Sequence, residues 1–274
     1  MRRFAWGSAA AAGAFFAMAA ARADQPAAWA MGFQTAVSPV MQRLTSLAIF
    51  INGVIVAVVV LVTVLVAWVA WRYNAGRNPV PATWAHNTPL EIAWTAVPAI
   101  ILLVIAVPSF RLLYYMDRAQ AAQMTLKVTG HQWYWSYEYP DQGNVKFDAN
   151  IVQDGDLKPG QPRLLATDNA VVLPVGVPVR ILVTADDVIH SWSVPAFGIK
   201  TDAIPGRVNE TWVRIDQPGT YYGQCSQLCG LNHGFMPIMV RAVPKAQFHA
   251  WLDVARKLAY RDASGLGMTA KRAE

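Results

Sequence analysis

Only two cysteines occur in 274 residues, so no disulfide framework holds this chain together. Charge is scarce too. Asp, Glu, Lys and Arg make up 15% of residues against 54% hydrophobic, a balance too apolar for an ordinary soluble protein and indicative of membrane spans. The net charge of +6 raises the question of nucleic acid, but its distribution answers it: residues 119–244 carry nine Lys or Arg against eleven Asp or Glu. The surplus base lies in the first 43 residues, around the apolar runs and after Pro244. No basic patch interleaved with aromatics stands out, so nucleic acid is not expected as a partner. There is no internal repeat and no C-x-x-C-H haem-attachment motif.

What is present falls into three parts. Residues 1–23 read as a secretory signal: Arg2 and Arg3, an apolar run through Ala9–Ala20, and the triplet Ala21-Arg22-Ala23 before Asp24. Residues 24–40 show no strong pattern. No charge falls between Arg43 and Arg72, and the 28 residues from Leu44 to Trp71 would make a helix of roughly 42 Å, enough to cross a bilayer. Trp68 and Trp71 stand at one end, where aromatic rings favour the headgroup boundary. A second span over residues 90–114 is uncharged between Glu91 and Arg111 and contains Pro98 and Pro108, which membrane helices tolerate. Thr88 reads as its N-cap, Pro89 as the first helical residue and Glu91 as the closing acid of a capping box. Arginines flank both sides of the hairpin, so the positive-inside count does not orient it. With a cleaved signal, residues 24–116 form an N-terminal segment and hairpin whose two ends both lie outside.

Beyond residue 117 the periodicity changes. Strand-like runs recur at Thr125–Thr129, His131–Tyr139, Arg163–Ala166, Val171–Pro174, Val179–Val183, Ser191–Val194, Glu210–Ile215, Thr220–Gly223 and Pro237–Ala242, with Gly and Pro between them. The spacing predicts an all-β sandwich or small barrel over 117–250, and no helical crossover pattern suggests a parallel sheet. Pro244 to about Arg261 reads as a terminal amphipathic helix, so that 251–274 comprise helix and tail.

The chemistry concentrates in Cys225-Ser226-Gln227-Leu228-Cys229-Gly230-Leu231-Asn232-His233-Gly234-Phe235-Met236. Two thiolates, an imidazole and a thioether are soft donors that suit copper far better than calcium or magnesium. A second imidazole can come from His190, in a loop between two predicted strands. One copper of low coordination number needs only one Cys; two Cys, two His and a Met fit two coppers bridged by both sulfurs. A zinc site and a disulfide are the competing readings of the loop taken alone.

The loop from Cys225 to Gly230 with His233 and Met236 resembles the binuclear copper A loop of subunit II of cytochrome c oxidase. Asp187–Trp192, Lys200–Arg207, Gly130–Tyr139, the second span and Leu164–Pro174 resemble that family as well. The likeness covers roughly residues 40–250. It implies a two-helix transmembrane hairpin followed by a cupredoxin-like Greek-key sandwich or barrel and a short C-terminal helix. It further implies two coppers bridged by Cys225 and Cys229, with His190, His233, Met236 and the main-chain carbonyl of Gln227 as the remaining ligands. The family commonly has Glu at the position of Gln227, where the carboxylate helps to bind magnesium at the junction with subunit I. An amide oxygen is a weaker ligand for that hard cation.

The resemblance also implies that Trp133 is where electrons arrive from cytochrome c, that Glu91 lies at the mouth of a proton path, and that Asp186 and Asp187 attract the donor. Implied partners are the haem-copper subunit I, subunit III, cytochrome c and membrane lipid. The implied location is the bacterial inner membrane, with the copper domain in the periplasm and oxygen reduction in subunit I coupled to proton translocation. A quinol oxidase subunit lacks the copper ligands, a nitrous oxide reductase needs a large further domain, and a tethered copper chaperone predicts a single exchangeable metal. The chain alone is not expected to reduce oxygen, since neither span contains a histidine. His86, His131 and His249 are expected to play no ligand role.

Overall fold

The computed structural model describes residues 22–27, 29–117 and 121–263. The signal read over residues 1–23 lies outside the described residues as far as position 21, and its last two residues, Arg22 and Ala23, form with Asp24 a short strand parallel to Gly219–Tyr221.

Helices α1 (Pro39–Arg72) and α2 (Thr88–Asp117) form an antiparallel pair long and apolar enough to cross a membrane, with their apolar side chains exposed. Both run past the uncharged stretches at their outer ends, because polar contacts take over there. Ser38 caps α1: its Oγ accepts from the Met41 amide at 3.0 Å and donates to the Phe197 carbonyl at 2.6 Å. The featureless segment before α1 is therefore a docking strip. Val37 donates its N–H to the Ala196 carbonyl, and its own carbonyl accepts from Asp216. At α2 the cap is Asn87, not Thr88. Asn87 Oδ1 accepts from the Leu90 amide at 3.2 Å, and Glu91 Oε1 accepts from the Asn87 amide at 3.0 Å. The box opens one residue earlier than expected, with Glu91 still its closing acid, because the Asn side chain is a better cap than Thr.

Eleven strands are described: β1 (Arg22–Asp24), β2 (Met124–His131), β3 (Tyr134–Tyr139), β4 (Val145–Ala149), β5 (Val171–Pro174), β6 (Val179–Ala185), β7 (His190–Val194), β8 (Ile199–Ala203), β9 (Asn209–Val213), β10 (Gly219–Cys225) and β11 (Pro237–Val243). One sheet runs β5-β11-β10-β7-β8, with β1 on the first half of β10's second edge; the other runs β4-β3-β2-β6-β9. The faces between them bury Leu126, Val128, Trp135, Tyr137, Ile181, Val183, Trp192 and Ile238 completely or nearly so. Alternating burial along β2 and β3 is what one covered face of a sheet dictates. Helix α3 (Lys245–Ala263) lays Phe248 and Leu252 on the core, and Trp251 against Tyr139 and Phe147.

The sandwich expected from the strand spacing is present, with four local differences. Val145–Ala149 and Ile199–Ala203 are strands whose charged outward residues hid their pattern, and Arg163–Ala166 is a turn. The run His131–Tyr139 breaks at Gln132-Trp133. The sheets are mixed: β2 pairs parallel with β6, and β11 with β5. Parallel neighbours arise here without a helical crossover because the intervening chain visits the opposite sheet.

Gly223 sets how closely β10 lies against β7. A Cβ there would stand 2.0 Å from the carbonyl oxygen of Ser193 on β7, so only glycine lets β10 lie this close to β7. That closeness sets Cys225, at the end of β10, beside His190, at the start of β7. Gly223→Ala is expected to lower unfolding free energy by about 3 kcal/mol, measured by denaturant unfolding, because backbone rather than a side-chain tip must yield.

Candidate metal centre

Adjacent antiparallel strands bring the distant parts together. Cys225 pairs with Trp192 two residues after His190, and the amide of Ser226 donates to the Ser191 carbonyl at 3.0 Å. From there the loop folds over the end of the sandwich and returns as β11. Cys225 and Cys229 are both reduced and buried, with sulfurs 3.9 Å apart. A disulfide needs about 2.05 Å, whereas two sulfurs each about 2.3 Å from one shared metal can stand up to ~4.6 Å apart. The spacing fits sharing and not a bond between the sulfurs.

The other donors divide between the two sulfurs. On the Cys225 side are His190 Nδ1 at 3.9 Å and the Gln227 carbonyl at 3.3 Å. On the Cys229 side are His233 Nδ1 at 3.5 Å and Met236 Sδ at 3.6 Å. The ligand atoms of His190, Cys225 and Cys229 all lie within 4.8 Å of one another. Trp135, fully buried, donates its Nε1–H to the Met236 carbonyl at 3.2 Å and meets the His190 ring edge-on. All six positions named from the sequence thus lie around the two sulfurs, and the donors they present are sulfur, imidazole and carbonyl. That donor set fits soft metal and offers no carboxylate for a hard one.

Electrostatics points the same way. Burial raises the Cys225 thiol, but hydrogen bonding from His190 and from backbone groups outweighs it, and Cys225 is lowered to about 6. Burial and the adjacent Cys225 charge push Cys229 up to about 12. Two thiolates this close resist ionising together without a cation between them. His190 is disfavoured as a cation by burial, yet Cys225 and Asp187 hold it above the ordinary histidine range.

Asp187 has a role that its position in the sequence did not reveal. Its Oδ1 lies 2.8 Å from His190 Nε2 and accepts from the Val188 amide, while Oδ2 accepts from the Gln132 amide at 2.7 Å. A carboxylate on Nε2 places the imidazole proton there and leaves the Nδ1 lone pair facing the sulfurs. Burial opposes ionisation of Asp187, but these partners hold it below the usual carboxylate range. The i, i+3 spacing of Asp187 and His190 was the available signal. Gly130 is the second missed residue: a Cβ there would come within 2.9 Å of the His190 ring.

Trp133 lies half-buried over the loop, its Nε1 donating to the Cys229 carbonyl at 3.2 Å, and Gln132 Nε2 donates to the same oxygen at 2.8 Å. Asp186 faces solvent, 3.7 Å from His131, which stacks on Tyr134. The Gln227 side chain is exposed, as are His86 and His249. Glu91 is far along the chain at the opposite end of the hairpin and takes no part in the cluster. Around the ligands the loops expose Ile189, Leu228, Leu231 and Phe235.

Comparison with known proteins follows the same division of the chain. Residues 124–243 match the family model "Cytochrome C oxidase subunit II, periplasmic domain", and residues 26–112 match "Cytochrome C oxidase subunit II, transmembrane domain". The "Probable cytochrome c oxidase subunit 2" of Rickettsia bellii is 49% identical over 237 residues, 86% of this chain and 88% of that one. The cytochrome c oxidase subunit 2 of Chondrus crispus is 44% identical over 230 residues, 82% of this chain and 91% of that one. Among solved structures, the periplasmic domain of subunit II of cytochrome oxidase of Bradyrhizobium japonicum is 51% identical, covering 51% of this chain and 98% of that one with a TM-score of 0.48.

Proposed function

The chain belongs to the cytochrome c oxidase subunit II family, and on that premise we propose that its β domain holds a binuclear copper A centre, receives electrons from cytochrome c and delivers them toward haem in subunit I. The observation that carries this reading is the pair of reduced, buried sulfurs 3.9 Å apart with a distinct set of donors on each side. Cys225, Cys229, His190, His233, Met236 and the main-chain carbonyl of Gln227 would hold the metals. Copper so bound supplies one-electron chemistry.

The chain's own residues set the conditions for it. Burial of Cys225, Cys229, His190 and Met236 excludes water, so few solvent dipoles have to turn when the charge changes. Asp187 and Gly130 fix the His190 ring from two sides. Trp133 links the surface to the Cys229 main chain through one hydrogen bond, which supports its role as the place where electrons arrive. Asp186 and the solvent-facing edge of Asp187 give the approach a negative sign, and the exposed apolar residues beside them form the small interface typical of transient redox partners. Trp133, Asp186 and Asp187 thereby form one docking and transfer face.

In this reading residues 1–23 are a signal whose cleavage would leave only Asp24 of β1, 24–116 are the anchoring segment, 117–250 the periplasmic copper domain and 251–274 its terminal helix and tail. The protein sits in the bacterial inner membrane with subunits I and III, and Glu91 opens a proton path at the inner face. The oxidase as a whole reduces oxygen to water and translocates protons. Magnesium is not assigned to Gln227, whose amide replaces the carboxylate that a hard cation favours.

The test is metal content and electron spin resonance of the copper-loaded full chain in detergent. Two coppers per chain, with one unpaired electron split by both nuclei, are expected; one copper or one zinc per chain overturns the proposal. Asp187→Asn is expected to weaken copper retention against a chelator by about 10- to 100-fold, as loss of an orienting carboxylate does, while leaving the fold intact. Unchanged retention would show that the loop alone orients His190.

A further inference from the structure

The membrane helices carry a cleft that the electron-transfer reading does not use. It has a volume of about 640 Å³ and lies between the outer ends of α1 and α2. Because the helices are antiparallel, Arg43, before the uncharged stretch of α1, and Arg111, after that of α2, stand at one level on its rim. Arg43 is held by stacking on the Tyr115 ring, 3.5 Å from its centroid, which fixes the guanidinium plane and leaves its N–H edge available. Among the described residues neither Arg43 nor Arg111 has a carboxylate within ion-pair distance. The acid closest in the network, Asp216, is already paired with Arg214 at 2.9 Å and touched by Gln42 at 3.5 Å.

Beside the arginines the lining includes the polar Gln42 and Ser46, and the rest of the walls are aliphatic and aromatic. Leu47 and Phe50 follow Arg43 at i+4 and i+7 on one face of α1, and Pro108 and Leu112 flank Arg111 on α2. Two cations lining one largely apolar cleft, each at the outer limit of an uncharged span, call for an occupant with a delocalised anion above and hydrocarbon below. We propose that this cleft binds one anionic glycerophospholipid of the outer leaflet. Its phosphate lies between Arg43 and Arg111, and an acyl chain runs down along Leu47, Phe50, Pro108 and Leu112. Guanidinium forks match phosphate oxygens in a bidentate manner, which singles out a phosphate headgroup from a generic negative surface. A partner helix filling the slot would have to bring a carboxylate to the same depth in the membrane at considerable cost; a lipid already carries its charge there. The bound lipid then joins α1 to α2 directly beneath the point where both meet the β domain.

The full chain, purified in neutral detergent, is titrated with phosphatidylglycerol or phosphatidylcholine, and bound lipid is counted by native mass spectrometry. One phosphatidylglycerol per chain is expected, bound about tenfold more tightly than phosphatidylcholine. The double variant Arg43→Gln with Arg111→Gln loses that preference while keeping its copper, and Arg-to-Lys changes recover part of it. Leu47→Trp, which fills the apolar half without touching either cation, also expels the lipid and guards against a variant that fails for lack of folding. Equal uptake of the two lipids, or a preference untouched by the double variant, overturns the proposal. Displacement of phosphatidylglycerol by equimolar inorganic phosphate overturns it as well, by showing a free-anion site. In the assembled oxidase washed in the same detergent, retained phosphatidylglycerol is expected to fall in the double variant. No retained lipid in the parent complex would mean that another subunit fills the cleft, and the proposal fails.

Discussion

Cys229→Ser is expected to reduce bound copper from two per chain to one or none and to abolish the shared-electron spectrum altogether. The reason is positional. Cys229 Sγ is the hub of the cluster, with Cys225 Sγ at 3.9 Å, His233 Nδ1 at 3.5 Å and Met236 Sδ at 3.6 Å. Serine oxygen is a hard, poor ligand for copper at neutral pH and cannot bridge as thiolate does. With one bridge gone, Cys225 alone cannot hold two metals together, and it retains with His190 a mononuclear set. The expected residue is therefore a single copper with the spectrum of one nucleus. Cytochrome c oxidation by the assembled enzyme should drop below detection. A variant that keeps two coppers and the split resonance would show that Cys229 is not a bridge. Cys225→Ser is expected to have the same effect, because it removes the other bridge.

Trp133→Ala is expected to leave copper content unchanged and to lower kcat/KM for cytochrome c by about 100-fold, the scale on which losing a reacting geometry acts. The indole supplies two things: a half-buried ring at the surface, and a hydrogen bond from Nε1 to the Cys229 carbonyl. Trp133→Phe separates them, since phenylalanine keeps a ring but has no N–H to donate. If the hydrogen bond carries the coupling, the Phe variant resembles Ala; if the ring does, Phe resembles the parent. Reduction of the centre by a small chemical reductant, which need not dock at Trp133, should be spared in both. Unchanged kinetics with cytochrome c in the Ala variant would remove Trp133 from its role. Gln132 also holds the Cys229 carbonyl, at 2.8 Å, so the loop itself should stay in place in either variant.

How much of this could be read from the chain depends on range. The loop from Cys225 to Met236 was legible because its donors lie within twelve residues and are chemically unusual together. The spans were legible because the bilayer imposes length and exclusion of charge on a single helix, both local properties. The sandwich followed from alternation and turns. Pairing did not, since which strand lies beside which is fixed by contacts across the core. Asp187 shows the limit most sharply. As a letter it is one of two adjacent acids in a loop; only the fold shows that one faces water while the other holds His190 Nε2. Gly130 and Gly223 escaped for the same reason. Their requirement comes from a neighbour 60 residues away for Gly130, His190, and from Ser193 for Gly223. Val37–Met41 looked patternless because its partners, Ala196, Phe197 and Asp216, belong to the far half of the chain.

That last contact has a mechanical consequence. The β domain is joined to the hairpin twice: by the chain leaving α2, where Trp212 donates to the Met116 carbonyl at 3.1 Å and packs on Tyr115, and by the start of α1 seated under Phe197. A globule on one stalk can swivel; standing on two feet, it has its heading fixed. The face bearing Trp133 therefore keeps a constant bearing to the bilayer, and an incoming carrier meets the same target orientation at every collision.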